Sequence, residues 1–215
     1  MKHVTVVIPT RGRLNKLKKT LATLPLKEEW MSVIVVCDGD ADTFNVLANN
    51  DTIKAVLVPQ RVGAVFCRNL VMPIVTDGVL YATDDILFPR NGVWTALEEF
   101  NERFLDDDGV LGFVQDFSHH QAGVGLVGHK FLLRYPYRKL FCPFYDHFAC
   151  QEIKWFAESL NRFAYSDGRA SIKHLSPIKD RSLMDQTHRD ARVNKERDMD
   201  TLHSRQASGL VWGAE

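Results

Sequence analysis

Hydrophobic and polar positions alternate between two patterns along the first third of the chain. Residues 4–8 (VTVVI) are a nearly unbroken apolar run, as expected of a strand covered on both faces. Pro9-Thr10-Arg11-Gly12-Arg13 interrupts it, and Leu17, Leu21 and Leu24 then recur at helical spacing. Residues 32–37 (SVIVVC) predict a second buried strand, stopped by Asp38-Gly39-Asp40. Residues 43–49 predict a short helix and residues 53–58 a third strand. A helical pattern over 62–75 ends at Asp77-Gly78, and residues 79–83 (VLYAT) predict a fourth strand running straight into Asp84-Asp85. Strands and helices in this alternation imply an α/β domain with parallel pairing and right-handed crossovers. Ligands of such sheets bind beyond the carboxyl ends of the strands. Three polar clusters fall there: residues 10–13, 38–42 and 84–85.

Downstream the pattern is less regular. Residues 92–104 predict a helix, and residues 110–117 and 124–133 predict strands joined through a turn at His119-His120-Gln121. Residues 144–162 contain a long helix, and residues 170–175 a late strand ending at His174. Residues 179–206 are highly charged, with Leu183, Met184, Val193, Met199 and Leu202 as sparse apolar contacts. They predict one or two surface helices wrapping the domain.

The 215 residues suffice for one well-buried domain and are short for two. Lys+Arg and Asp+Glu are both 27, so the overall basic excess of a duplex-binding protein is missing, while a local basic strip stays open. The N-terminal MKHVTVVIPT is too short in its apolar run for a signal peptide, and no stretch approaches the ~20 apolar residues of a membrane span. Cys37, Cys67, Cys142 and Cys150 have no CxxC spacing and read as reduced packing residues, which implies a cytoplasmic protein.

The sharpest chemical feature is Asp84-Asp85 at the end of a buried strand. Adjacent carboxylates repel and are costly to desolvate, so the pair makes sense beside a cation; its ordinary alternative is a helix cap in a surface turn. The turn holding Thr10, Arg11 and Arg13 offers backbone N–H groups and cations to a nucleotide, or is a plain strand–helix turn. No GxGxxG or GxxxxGK[ST] spacing occurs, which argues against a Rossmann dehydrogenase and a P-loop ATPase. Asp38 is placed to accept hydrogen bonds from a base or ribose, or to serve as a turn residue before Gly39. In QRVGAVFCRN, Gly63 admits a close backbone approach, and Arg61 and Arg68 are cations for phosphate or for orienting Asp85. His174 is a candidate metal ligand. Glu152 and Asp146 are candidate general bases, or favourable charge in a helix's first turn.

Taken in order, VTVVIPTRGR, VIVVCDGD, RVGAVFCRN, YATDDILFP, YDHFACQE and IKHLSP resemble the family 2 glycosyltransferases over residues 3–177. The resemblance implies a GT-A catalytic domain at 1–177, a Rossmann-like, mostly parallel sheet flanked by helices. A charged helical extension at 178–215 packs on it. It implies that Pro9, Thr10, Arg11, Arg13, Asp38, Arg61, Gly63, Arg68, Thr83 and Asp84 bind a nucleotide diphosphate sugar, with UDP favoured. Asp85 and His174 would hold Mn2+ or Mg2+, Thr83-Asp84-Asp85 standing for the DXD motif. The family's base maps to Glu152, with Asp146 as its rival. The implied reaction is inverting transfer of a hexosyl group to an acceptor hydroxyl.

A nucleotidyltransferase of related α/β fold is the competing enzyme class, though its Gly-rich loop after the first strand is missing. A non-catalytic nucleotide-sugar or carbohydrate binding module is the other alternative. Phe131, Tyr135, Tyr137, Phe141, Phe144, Tyr145 and Phe148 lie among Lys130, Arg134, Arg138 and Lys139. This strip predicts either core packing under snorkelling cations, the favoured reading, or a surface for a nucleic acid acceptor such as a modified base in viral DNA.

Overall fold

The computed structural model describes residues 1–115, 123–166, 170–175, 177 and 180–214. The strands β1 (Val4–Thr10), β2 (Met31–Asp38), β3 (Lys54–Val58) and β4 (Gly78–Tyr81) lie where the apolar runs predict them. They alternate with the helices α1 (Leu14–Leu21), α2 (Ala41–Leu47) and α3 (Ala64–Val71). After β4 come β5 (Ile86–Leu87), α4 (Gly92–Arg103), β6 (Val110–Gly112), β7 (Gly125–Val127) and α5 (His129–Leu132). The chain continues through α6 (Ala149–Ser159), β8 (Phe163–Tyr165), β9 (Lys173–His174) and α7 (Gln186–Ala207).

Among the described residues, seven strands form the central sheet in the order β3-β2-β1-β4-β7-β6-β8. β1 pairs parallel with β2 and β4, β2 parallel with β3, and β6 parallel with β8; β7 runs antiparallel to both its neighbours. The chain builds outward from β1 through β2 to β3, then returns through α3 to β4 on the other side of β1. This reversal opens a crevice at the carboxyl ends of β1 and β4.

Successive β1 residues serve opposite faces of the sheet, as the two-residue period of a strand requires. Val4, Val6 and Ile8 pack with Leu17 and Leu21 of α1 and with Val93, Leu97 and Phe100 of α4. Val7 packs on the other face with Val65 and Val71 of α3 and Ile153 and Phe156 of α6. Covering both faces is why these strands are apolar throughout rather than alternating.

Several expectations need correction. Residues 124–133 do not form one strand: β7 ends at Val127 and the apolar Phe131 and Leu132 are buried from the short α5. A short apolar run suits either structure, and here local contacts decide. A Cβ on Gly128 would lie 2.2 Å from the Asp107 carbonyl oxygen, and the Asp107 carboxylate accepts from His129 N at 3.2 Å, turning the chain into the helix. Of residues 110–117, Val110–Gly112 form β6, and Gln115 bridges to Ile172; the turn expected at His119-His120-Gln121 lies outside the described residues. The sequence pattern missed β8, a three-residue strand added at the sheet edge. The charged C-terminal stretch is a single long helix preceded by a 3₁₀ turn at Arg181–Leu183. Of the aromatic strip, Phe131, Tyr135, Phe141 and Tyr145 are core residues, as the packing alternative has it, while Tyr137 and Phe144 are exposed.

No helix among the described residues is long and apolar enough to cross a membrane. Cys37, Cys67, Cys142 and Cys150 are free thiols.

Candidate active site

The turn after β4 carries Asp84 and Asp85 into the crevice, and both are buried, at 2% and 3% exposure. What keeps two adjacent carboxylates there is a guanidinium. Arg13, in the turn after β1, donates from Nη1 to Asp84 Oδ1 at 2.6 Å and from Nη2 to Asp85 Oδ2 at 2.9 Å. Thr10 Oγ1 donates to the remaining oxygen of Asp84 at 2.8 Å, and Thr83 Oγ1 donates to Asp85 Oδ1 at 2.8 Å. The residues at the ends of β1 and β4 are thus joined through side chains 71 to 74 positions apart in the sequence.

The second sheet completes the cluster. β5 and β9 pair antiparallel with Ile86 opposite His174, and Leu175 N donates to Asp85 O at 2.7 Å. His174 Nε2 then lies 3.2 Å from Asp85 Oδ1. His188, on the first turn of α7, approaches Asp85 Oδ2 at 3.5 Å from the other side.

Electrostatics divides the two aspartates. Burial, reinforced by the charge of Asp85, pushes the Asp84 carboxyl up to about 6. Burial acts on Asp85 in the same sense, but hydrogen bonds from His174 and His188 and the charges of His174 and Arg13 outweigh it and hold its carboxyl well below the usual range. For Arg13, burial alone would favour the neutral form; Asp84, Asp85 and Asp185 overcome it and keep the guanidinium charged.

Around this centre the loops are tied together by carboxylates. Asp38, at the end of β2, accepts from Val62 N at 2.7 Å and Gly63 N at 3.0 Å, which shapes the loop bearing Arg61. Gly63 has φ +91°, a conformation that favours glycine, and it starts α3. Asp40 accepts from Gly12 N at 2.7 Å and from Thr43 N at 3.0 Å, so it caps α2 while fixing the turn after β1. Arg68 is buried under Ala82, donating to its carbonyl at 2.9 Å, and lies 5.1 Å from the centroid of the Phe141 ring. It braces the segment that presents Thr83-Asp84-Asp85, and burial lowers its pKa.

Of the sequence-predicted residues, Thr10, Arg13, Thr83, Asp84, Asp85 and His174 converge. Arg11 and Arg61 lie on a cleft of about 400 Å3 next to them, lined also by Gly12, Arg13, Asp185 and Asp190. Pro9 lies within β1, paired with Val36 of β2, and contributes to the site only through the strand it continues.

Glu152 is placed quite differently from a base awaiting substrate. At 2% exposure, its carboxylate accepts from Tyr145 Oη at 2.5 Å, Arg205 Nη2 at 2.9 Å, Arg205 Nε at 3.0 Å and Trp212 N at 2.7 Å. Those donors occupy both oxygens and fasten the end of α7 and the C-terminal tail to α6. Asp146 is exposed and paired with Arg197, and Asp198 of α7 accepts from the backbone N–H groups of Asp146, His147 and Phe148. His147 is exposed in part, yet the protein packed around it, and next the charge of Arg68, depress its pKa and favour the neutral imidazole. Sequence reasoning missed His188, Asp185 and Asp190. They lie more than 100 positions from the turn after β1, on a helix whose charge pattern resembles any solvated surface, so no local signal marks them.

The donor set suits a hard or borderline divalent ion, with carboxylate oxygens and an imidazole nitrogen together. No group of three or more His, Cys, Asp or Glu side chains forms a metal cage among the described residues. Asp85 and His174 offer one carboxylate and one imidazole to a divalent ion, which would have to displace contacts that Asp85 makes with Arg13, Thr83 and His188.

No protein-family model and no curated protein matches the chain in sequence. Solved structures match it in fold. The mannosyltransferase PcManGT from Pyrobaculum calidifontis, in complex with GDP-Man and Mn2+, superposes with a TM-score of 0.64 at 16% identity, over 83% of this chain and 58% of that one. S. aureus TarS 1-349 gives a TM-score of 0.62 at 14% identity, over 84% of this chain and 63% of that one. TarS 1-349 in complex with UDP-GlcNAc gives 0.54 at 14% identity, over 80% and 58%. The chain thus spans about three fifths of the length of these proteins. Its fold is the GT-A fold they share.

Proposed function

We propose that this protein is a metal-dependent glycosyltransferase that moves a hexosyl group from a nucleotide diphosphate sugar to an acceptor hydroxyl with inversion. The observation that carries the reading is the meeting of Thr10, Arg13, Asp84, Asp85 and His174 at the topological switch point of a GT-A sheet. The structural neighbours bound to GDP-Man with Mn2+ and to UDP-GlcNAc support it.

In this reading the nucleotide lies across the carboxyl ends of β1 and β2, against Thr10 and the loop that Asp38 shapes. Arg11, Arg13 and Arg61 face the diphosphate, because a planar guanidinium matches phosphate oxygens in pairs. Asp84 holds the donor ribose or sugar. Asp85 and His174 hold Mn2+ or Mg2+, which when bound supplies positive charge to the departing diphosphate. Thr83 and Arg68 keep the aspartate turn in place so that this charge is preorganised. For accepting the proton from the acceptor hydroxyl, the reading favours Asp146, half exposed and paired with Arg197, over Glu152, whose carboxylate is buried against Tyr145, Arg205 and Trp212. A UDP-sugar donor and a cytoplasmic location remain part of the proposal.

The test is a screen of nucleotide sugars with Mn2+, reading nucleotide diphosphate release. Slow donor hydrolysis, lost in Asp85→Ala, is the expected result. Consumption of nucleoside triphosphate with pyrophosphate release would instead assign a nucleotidyltransferase. Metal-dependent thermal stabilisation by UDP without any turnover would assign a binding module.

A further inference from the structure

The cations of the cleft are paired with carboxylates. Arg11 Nη2 and Arg61 Nη2 lie 2.6 Å and 2.9 Å from Asp190 Oδ2, and Arg13 Nε and Lys16 Nζ lie 2.8 Å and 2.7 Å from Asp185 Oδ2. Lys16 also donates to the Leu183 carbonyl at 2.9 Å. Two carboxylates from one segment thus engage four cations contributed by the turn after β1, by α1 and by the loop before α3.

The way α7 is anchored is uneven. Its buried residues, Asp198, Leu202 and Arg205, all lie in its second half. In the first half no residue is fully buried, and Val193 is 80% exposed. Packing of Leu202 and the buried hydrogen bonds of Asp198 and Arg205 therefore hold the end of the helix, while its beginning is held by partly exposed ion pairs, which are individually weak and screened by salt.

We propose that the start of α7 is an internal competitor of the donor. Resting on the glycosyltransferase reading above, the assignment is that Asp185 and Asp190 sit on the cations that the diphosphate of a nucleotide needs. Donor binding lifts residues 185–197 while 198–207 stay docked. A diphosphate has more charge and more acceptor oxygens than either carboxylate, so it displaces them when the nucleotide is present and yields the cleft when it leaves. A nucleotide binds only the lifted form, so its apparent affinity is reduced by the fraction of molecules in that form.

The experiment measures binding of UDP, GDP and inorganic pyrophosphate, each with Mn2+, to the full chain by calorimetry, with amide hydrogen exchange over α7. Wild type is compared with Asp190→Asn and with Asp185→Asn/Asp190→Asn. Asparagine at 185 still caps α7, whose His188 N bonds Asp185 Oδ1 at 3.1 Å, so the helix start is retained. Asp51→Asn, on an exposed turn, controls for net charge. The double variant is expected to bind nucleotide about tenfold more tightly, as the loss of a few partly buried ion pairs implies. Asp51→Asn leaves affinity at the wild-type value, and nucleotide lowers protection of 186–197 in wild type while 198–207 stays protected. Equal or weaker nucleotide binding by the double variant, or an equal gain in Asp51→Asn, overturns the competitor assignment and leaves the donor reading standing. Failure of wild type and variants alike to bind nucleotide or pyrophosphate overturns both.

Discussion

Replacing Glu152 by alanine separates a structural clamp from a catalytic base. In the folded chain its carboxylate meets Tyr145 Oη, two nitrogens of Arg205 and Trp212 N, and Arg205 itself is buried. Removing the acceptor takes the Glu152 carboxylate from the buried Arg205 guanidinium and from Tyr145 Oη and Trp212 N. Breaking a buried ion pair from one side costs about 3–5 kcal/mol. With a urea m-value of about 2 kcal/mol/M, the unfolding midpoint falls by roughly 1.5–2.5 M without a change in m. The isosteric Glu152→Gln keeps one acceptor oxygen and lands between. Glu152→Leu/Arg205→Met removes both charges and recovers part of the loss, because a buried pair contributes little beyond an apolar pair of similar volume, while Tyr145 Oη and Trp212 N still lack their acceptor. Urea titration followed by tryptophan fluorescence, on protein of the same concentration, reads all four. A Glu152→Gln protein with a wild-type midpoint and transfer reduced by about a thousandfold would refute the clamp and restore the base, since that pattern marks an interaction made only in the transition state.

Three further outcomes follow from the site. Asp85→Asn, nearly isosteric, lowers metal-dependent donor turnover by about 10²–10³-fold, the cost of losing one preorganised electrostatic partner; steady-state nucleotide release measures it. Gly63→Ala costs about 1–2 kcal/mol in a thermal or urea melt, through backbone alone, because φ is +91° and a Cβ there meets no atom within 4 Å. Cys37 and Cys67 resist iodoacetamide at pH 8 in the folded protein and react after unfolding, because burial pushes both thiols up to about 12; mass spectrometry of labelled peptides reads the difference.

How much of this was legible beforehand depended on sequence distance. β1, β2 and β4 showed because they are buried on both faces and so write nearly unbroken apolar runs, while β3, at the sheet edge with Lys54 exposed, showed by a shorter β-branched run. Thr10 and Asp84-Asp85 showed because polar residues directly follow such runs, and topology alone brings strand ends together. Residues 170–175 read as a late strand ending at His174, of which Lys173–His174 pairs with β5; that two-residue β5, too short to show in the pattern, brings the histidine to Asp85. The role of Glu152 was hidden because its partners, Arg205 and Trp212, are 53 and 60 positions away on a helix and tail that look like solvated surface. Asp185, His188 and Asp190 were hidden for the same reason. An acidic residue that seats a cation and one that faces water are written identically.

The account rests on a divalent ion and a nucleotide diphosphate meeting at the turn after β4. Crystals soaked with Mn2+ and UDP test that directly, through anomalous scattering at the manganese edge. The account predicts one strong peak against Asp85 and His174, with the diphosphate beside Arg11 and Arg13. Nucleotide density elsewhere on the chain, or manganese bound away from Asp85, would contradict it.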